Sequence, residues 1–135
     1  MRHILIATFA ALLTVLPVQA EEPADTIQGV IVSQLDAFGD NDLNAAFAHA
    51  SPMIQSKFQT PEIFGRMVRE GYPMIWRPSS FEMRELQETD WGLVQPVLFQ
   101  DGVGRSFEAY YEMQQIEGVW RINGVYMREI PGVGS

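Results

Sequence analysis

The chain has 135 residues, of which 47% are hydrophobic and 19% are charged, and its formal net charge is −8. This composition predicts a single folded domain and excludes a disordered chain. The acidic charge disfavours nucleic acid and anionic lipid as partners, and the absence of cysteine excludes disulfides, thiol catalysis and cysteine-ligated zinc.

The first 20 residues have the layout of a secretory signal peptide. A basic start at Arg2 and His3 precedes an apolar run at residues 4–16, which is shorter than the roughly 20 residues that span a bilayer. We therefore expect cleavage after Ala20, export to the periplasm or the medium, and no stable membrane anchor. The expected organisation is a signal peptide at residues 1–20, a short acidic tether at residues 21–24, one domain at residues 25–130 and a tail at residues 131–135.

In the first half of the expected mature chain, apolar residues recur at helical spacing. Asp25 and Gln28 have the spacing of a capping box, which predicts a first helix that begins at Asp25 and ends at Gly39. A second, shorter helix is predicted to begin near residues 40–42. The start of that helix, at residues 40–44, imitates a calcium loop but lacks the glycine and the final glutamate such a loop needs.

Two Ser/Thr-Pro pairs predict further helix starts, because each places a capping hydroxyl before a proline at the first helical position. The pairs are Ser51-Pro52 and Thr60-Pro61. The second pair opens a helix predicted at residues 60–70. Residues 53–58, between the pairs, fit a helical turn and a short strand equally well.

The second half of the chain has the pattern of an antiparallel sheet, so the order of elements predicts an α+β fold. Tight turns are predicted at Asp101-Gly102 and Glu117-Gly118. Pro96 predicts either an edge strand or a bulge. The predicted strands are residues 81–86, 93–100, 105–116 and 119–130.

The last hairpin has a pattern that fixes its register, because a slip of one residue would mix its two faces. A turn at Glu117-Gly118 pairs Ile116 with Val119, and the same register pairs Met113 with Ile122 and Tyr111 with Gly124. The apolar face, which the helices must cover, then carries Phe107, Ala109, Tyr111, Met113, Trp120, Ile122, Gly124 and Tyr126. The opposite face carries Glu108, Tyr110, Glu112, Gln114, Arg121, Asn123, Val125 and Met127.

Helices followed by a sheet that ends in Glu-Gly-Val-Trp-Arg-Ile-Asn-Gly, at residues 117–124, resemble the NTF2-like superfamily. More narrowly, the chain resembles the DUF4864 family of exported bacterial proteins. The resemblance implies a cone with a cavity between helices and sheet, and it implies no activity, because one fold hosts binders and enzymes alike. The stretches that carry the narrower resemblance are residues 34–38, 46–48, 51–52, 64–68, Tyr72 and residues 120–124.

His49 is the one histidine of the expected mature chain and lies near the end of the second predicted helix. A helix-end cation that interacts with the helix dipole is the favoured interpretation, and a general base is the weaker one. Glu108 and Glu112 are expected to be solvated surface acids. We expect no metal site and no cofactor, since one histidine without cysteine cannot form a histidine-rich or thiolate site.

Aromatic side chains form the remaining candidate site. Tyrosine and tryptophan combine a large apolar surface with one polar group, so they suit either a pocket for a small apolar ligand or an ordinary core. The candidate pocket residues are Tyr72, Trp76, Phe107, Tyr111, Met113, Trp120, Ile122 and Tyr126.

The favoured function is a non-enzymatic binder of a small apolar or amphipathic molecule in the periplasm. One alternative is an enzyme of the isomerase or dehydratase kind, which would use a buried carboxylate or His49 beside a tyrosine hydroxyl. Another is an envelope protein-interaction module with a filled core. We also predict a homodimer that forms through the outer face of the sheet, because apolar side chains interrupt the charges of that face. These side chains are Tyr110, Ile116, Val119, Val125 and Met127.

Overall fold

The computed structural model describes residue 3, residues 6–14 and residues 22–132. The expected cleavage site after Ala20, most of the expected signal peptide and residues 133–135 of the tail lie outside the described residues. Within the described ranges, no helix combines the length and the apolar character needed to cross a bilayer.

Residues 22–132 form an α+β fold, as predicted, in which the helices pack on an antiparallel sheet that does not close. The helices are α1 (Pro23–Gly39), α2 (Leu43–Ala48), α3 (Pro52–Phe58), α4 (Pro61–Gly71) and α5 (Pro73–Trp76). The strands are β1 (Ser80–Met83), β2 (Gln87–Thr89), β3 (Gly92–Gln100), β4 (Ser106–Ile116) and β5 (Val119–Ile130). The sheet order is β1-β3-β4-β5, and β2 pairs with the same edge of β3 as β1 does.

Capping residues explain the helix starts. Ser51 and Thr60 accept hydrogen bonds from the backbone N–H groups of Ile54 and Ile63, which confirms both predicted caps. Residues 53–58 are helical, because the cap at Ser51 and the following proline set the first turn.

The predicted start of the first helix is wrong. The helix begins at Pro23, inside the expected tether, and Asp25 lies in its first turn, where a carboxylate interacts favourably with the helix dipole. Glu22 occupies the N-cap position without a side-chain cap. Proline at the first helical position fixes φ in the helical range, so the helix starts there and the capping box of Asp25 and Gln28 does not form.

The core lies between α1 and the inner face of the sheet, the face that the helices cover. Ile27 and Ile31 of α1 are completely buried, and Val97 and Phe99 of β3 are equally so. Phe38 extends this core through ring contacts at 6.0 Å with Phe64 and 5.5 Å with Trp76. Helical spacing on α1 and alternation on β3 therefore meet in one apolar layer.

Pro96 lies in the central strand β3, so the predicted edge position is wrong. The carbonyl oxygen of Pro96 accepts a hydrogen bond from the N–H of Arg84 at 3.0 Å. The ring nitrogen of Pro96, which has no hydrogen to donate, therefore faces the same neighbouring segment. That neighbour is interrupted between β1 and β2, because a proline cannot donate to a ladder. The strand predicted at residues 81–86 therefore ends at Met83, and residues 87–89 form the separate strand β2.

The β3–β4 connection is residues 101–105, one residue longer than the predicted strands leave, since β4 begins at Ser106. Asp101 holds the loop: its Oδ1 atom accepts from the N–H groups of Val103 and Arg105. The Arg105 side chain also pairs with Asp101 Oδ2 at 2.9 Å. These hydrogen bonds also lower the pKa of the Asp101 carboxyl. One aspartate therefore organises a wider loop than the Asp-Gly pattern indicated.

The β4–β5 hairpin confirms the predicted turn, with positive φ at Glu117 and Gly118, and the pairing of Met113 with Ile122. A bulge between Glu112 and Met113 then shifts the register. Tyr111 consequently pairs with Val125, so the predicted pairing with Gly124 is wrong.

The bulge reverses the predicted faces of the end of β5. Val125 and Met127 lie opposite Tyr111 and Ala109 on the inner face, although they were predicted outside. Tyr126 lies opposite Tyr110 and is 63% exposed, although it was predicted inside. The bulge is adjacent to a contact with another part of the chain, in which the backbone N–H of Ser51 donates to the Ile122 carbonyl at 2.8 Å.

Candidate functional site

A cavity of about 310 Å³ lies between the helices and the inner face of the sheet beside the bulge. Its walls come from α1, α3, α4, α5, β4 and β5. The apolar part of the wall includes Phe38, Ile54, Phe58, Phe64, Val68 and Val125. The polar part includes Gln34, Lys57, Tyr72, Tyr111, Glu112 and Asn123.

The linker between α2 and α3 ties one wall of the cavity to the sheet. Ile122 donates its N–H to the His49 carbonyl at 2.9 Å and accepts from the Ser51 N–H. The Ser51 hydroxyl, which caps α3, donates to Asn123 Oδ1 at 2.7 Å. Helix α3 is therefore anchored at the bulge.

Gln34 fixes the opposite wall. Its side chain is almost completely buried, and Nε2 donates to the Ala46 carbonyl at 3.1 Å. This bond joins α1 to α2 and leaves the amide oxygen Oε1 as the remaining acceptor of Gln34.

Tyr111 is the completely buried tyrosine of the cavity wall. Its hydroxyl has no hydrogen-bond partner among the residues that the structure describes. Burial raises the pKa of this phenol above its ordinary value, so the group stays neutral and keeps a proton to donate. An unpaired buried hydroxyl costs about 1–3 kcal/mol, which makes this residue the most unusual part of the cavity.

Four of the predicted pocket residues line this cavity: Tyr72, Tyr111, Ile122 and Tyr126. Four others lie elsewhere. Trp76 packs against Phe38, with the guanidinium of Arg77 4.7 Å from its ring, and Trp120 is half-buried near the turn. Phe107 and Met113 are buried core residues of β4, and neither is among the residues that form this cavity wall.

His49 lies at the C-terminus of α2 and outside the cavity wall. Its position at the helix end is as predicted, but burial and the nearby charge of Arg121 lower the pKa of its imidazole and so disfavour the charged form. Arg121 supplies a cation there, because its Nη1 atom donates to the Ala48 carbonyl at the end of α2. A cation at this position interacts favourably with the helix dipole.

Glu112 is a functional candidate that sequence reasoning dismissed as a solvated acid. The residue is half-buried and lines the cavity. It lies opposite Gly124, and a Cβ atom at position 124 would be 3.1 Å from Glu112 Oε2. A side chain at position 124 would therefore press against the end of the Glu112 side chain. The carboxylate and Gly124 are close cross-strand neighbours, a pairing that the predicted register did not contain.

A second hollow of about 500 Å³ lies around Trp91, whose side chain is 94% exposed. Glu112, Asn123 and Tyr126 line both this hollow and the cavity. The bulged part of β5 therefore separates the two spaces. Among the described residues, no group of three or more His, Cys, Asp or Glu is placed to hold a metal ion.

A family model described as a domain of unknown function, DUF4864, matches residues 20–134. The chain belongs to the DUF4864 family. The match covers the whole of the fold described above, from α1 to β5, so the cavity is part of the DUF4864 domain. No curated protein and no solved structure matches the chain significantly.

Proposed function

We propose that this protein is an exported binder of a small apolar or amphipathic molecule, built as an NTF2-like cone. The observation that carries the proposal is the cavity of about 310 Å³ between helices and sheet. Protein interiors are normally close-packed, and ligand sites begin at roughly 300 Å³ with a mostly apolar wall and a few polar groups. The cavity has this size and this wall.

Export is supported by the signal-peptide pattern of residues 1–20. The intact mass of protein recovered from the periplasm of a secreting host is expected to correspond to a chain that starts at Glu21. A full-length species in the cytoplasm would contradict this part of the proposal.

A steric block of the cavity tests the binding proposal. Met53 lines the cavity and is 54% exposed, so Met53→Trp is expected to obstruct the space with little effect on folding. Ile63→Trp is the matched control, because Ile63 is 42% exposed on α4 and lies outside the cavity wall. The probes are a panel of isoprenoid alcohols, fatty acids and naphthalene derivatives, screened by thermal shift.

A ligand at about 100 times its Kd adds about 2.7 kcal/mol to the unfolding free energy. We expect some probes to raise the melting temperature of the wild type and of Ile63→Trp, with a much smaller rise for Met53→Trp. Equal rises in all three proteins would place binding outside the cavity. No rise with any probe would favour the interaction module.

A second candidate function is an enzyme of the isomerase or dehydratase kind, and the observation that favours it is Glu112. This half-buried carboxylate lines the cavity and forms no ion pair with a described residue. Any probe that binds would be examined for conversion by mass spectrometry. Conversion that is lost in Glu112→Gln and retained in His49→Ala would replace the binder with the enzyme.

A further inference from the structure

The polar groups of the cavity wall restrict the chemistry of its ligand. Tyr111 is a residue of this wall, and its fully buried hydroxyl has no partner among the described residues, so one wall residue carries a hydrogen-bond donor without an acceptor. A ligand that supplies the acceptor removes the cost of that unpaired donor, and a purely hydrocarbon ligand does not.

The same wall disfavours a buried anion. Lys57 is the cation among the described lining residues, and its side chain is exposed. Glu112 adds a negative charge to the same wall. A carboxylate in the cavity would lose its hydration and gain little more than one hydrogen bond from a neutral O–H group. That hydrogen bond does not compensate the free energy of desolvation. An uncharged oxygen needs much less compensation.

We propose that the ligand has an apolar body and an uncharged oxygen acceptor, such as a ketone, ester or ether oxygen, which accepts a hydrogen bond from the Tyr111 hydroxyl. This inference rests on the proposed binding function and adds the chemical class of the ligand. Tyr111 is then a specificity-determining residue, and the apolar residues of the wall supply the affinity through burial of the ligand body.

Two probes of nearly the same shape test the inference. 2-Acetylnaphthalene carries a carbonyl oxygen, and 2-isopropenylnaphthalene has a CH₂ group in its place. Their Kd values would be measured by equilibrium dialysis with the wild type, Tyr111→Phe, Tyr72→Phe and Tyr110→Phe. Tyr72 is a second tyrosine of the cavity wall, and Tyr110 lies on the outer face of the sheet.

We expect Tyr111→Phe to raise the Kd of the ketone about tenfold relative to the Kd of the alkene. This is the effect of losing one hydrogen bond from a buried donor. The ratio removes the difference in hydration between the probes, because that difference is the same for every variant. Tyr110→Phe and Tyr72→Phe are expected to leave the ratio unchanged. With the wild type alone, the carbonyl stretching band of the bound ketone is expected at lower frequency than in hexane, which tests the hydrogen bond even if a variant fails to fold.

Three results would overturn the inference while leaving the binding proposal intact. They are an unchanged ratio in Tyr111→Phe, a changed ratio in Tyr72→Phe instead, and a bound carbonyl band at its hexane frequency. Failure of both probes and of the whole screening panel to bind the wild type would remove the binding proposal, and this inference with it.

Discussion

Gln95 donates from its side-chain Nε2 atom to the carbonyl oxygen of Arg84 at 2.6 Å, at the ladder position where residue 96 would donate if it were not proline. The same amide nitrogen donates to the Pro96 carbonyl at 2.9 Å, and its oxygen accepts from Gln28 at 3.3 Å. A completely buried side chain thus replaces the missing backbone donor. Because the side-chain amide supplies the hydrogen bond, the central strand of the sheet can contain a proline.

The first prediction concerns this replacement. Gln95→Leu is expected to lower the unfolding free energy by about 2–3 kcal/mol, because it leaves the Arg84 carbonyl without its donor. In a Pro96→Ala background, the restored N–H is expected to satisfy that carbonyl and reduce the effect. Urea unfolding of the wild type, the two single variants and the double variant gives the coupling energy between residues 95 and 96. Equal effects in both backgrounds would contradict the relationship between Gln95 and Pro96.

The second prediction compares two helix caps. Ser51→Ala is expected to lower the unfolding free energy by about 2 kcal/mol, since the hydroxyl caps α3 and also binds Asn123. Thr60→Ala is expected to remove only the cap of α4, at about 1 kcal/mol. Urea unfolding measures both, and a larger loss for Thr60→Ala would mean that the Ser51–Asn123 contact adds nothing.

The third prediction compares two helical glycines. A Cβ atom on Gly65 of α4 would lie 2.5 Å from Leu43 Cδ2 of α2, whereas Gly29 of α1 has open space around it. Gly65→Ala is expected to lower the unfolding free energy by about 1–3 kcal/mol through overpacking. Gly29→Ala is expected to raise it by about 0.4–1 kcal/mol, because alanine restricts the unfolded chain. Thermal unfolding distinguishes the two directions, and a stabilised Gly65→Ala would show that α2 and α4 separate readily.

The fourth prediction concerns the dependence of stability on pH. Burial and Arg121 lower the pKa of His49, so the unfolded chain binds a proton more readily than the folded protein. The unfolding free energy is therefore expected to fall as the pH drops below about 6.5, the ordinary histidine value. Urea unfolding from pH 8 to pH 5 is expected to show a weaker decline for His49→Gln. Parallel curves for the two proteins would exclude His49 as the source.

Much of the helical half of the fold follows from local sequence signals. The caps at Ser51 and Thr60 form as the Ser/Thr-Pro pairs predict, because a cap depends on residues three positions apart. The start of α1 was misplaced because two local signals competed, the capping box at Asp25 and the proline at position 23. Helix α5 is a single turn, too short for a periodic pattern to reveal.

The candidate site depends on contacts between distant parts of the chain, and the sequence therefore predicted it only in part. The bulge next to Asn123 forms where the linker between α2 and α3 binds β5. No pattern within the hairpin contains that information. The bulge leaves Tyr126 largely exposed, where it lines both the cavity and the second hollow. It also brings Val125 into the cavity wall and places Gly124 opposite Glu112. Tyr111 was found from alternation alone, whereas its unpaired hydroxyl could be recognised only in the folded structure.

The bridge between the linker and Ile122 also affects how β5 behaves at the edge of the sheet. This strand has 12 residues, and a long free edge can template the addition of strands from other molecules. The linker occupies the N–H and C=O groups of Ile122, and the adjacent bulge shifts the hydrogen-bonding phase of the rest of the strand. An incoming strand could not pair continuously along β5. The contact that holds one wall of the cavity thus also shortens the free edge on which a strand from another molecule could pair.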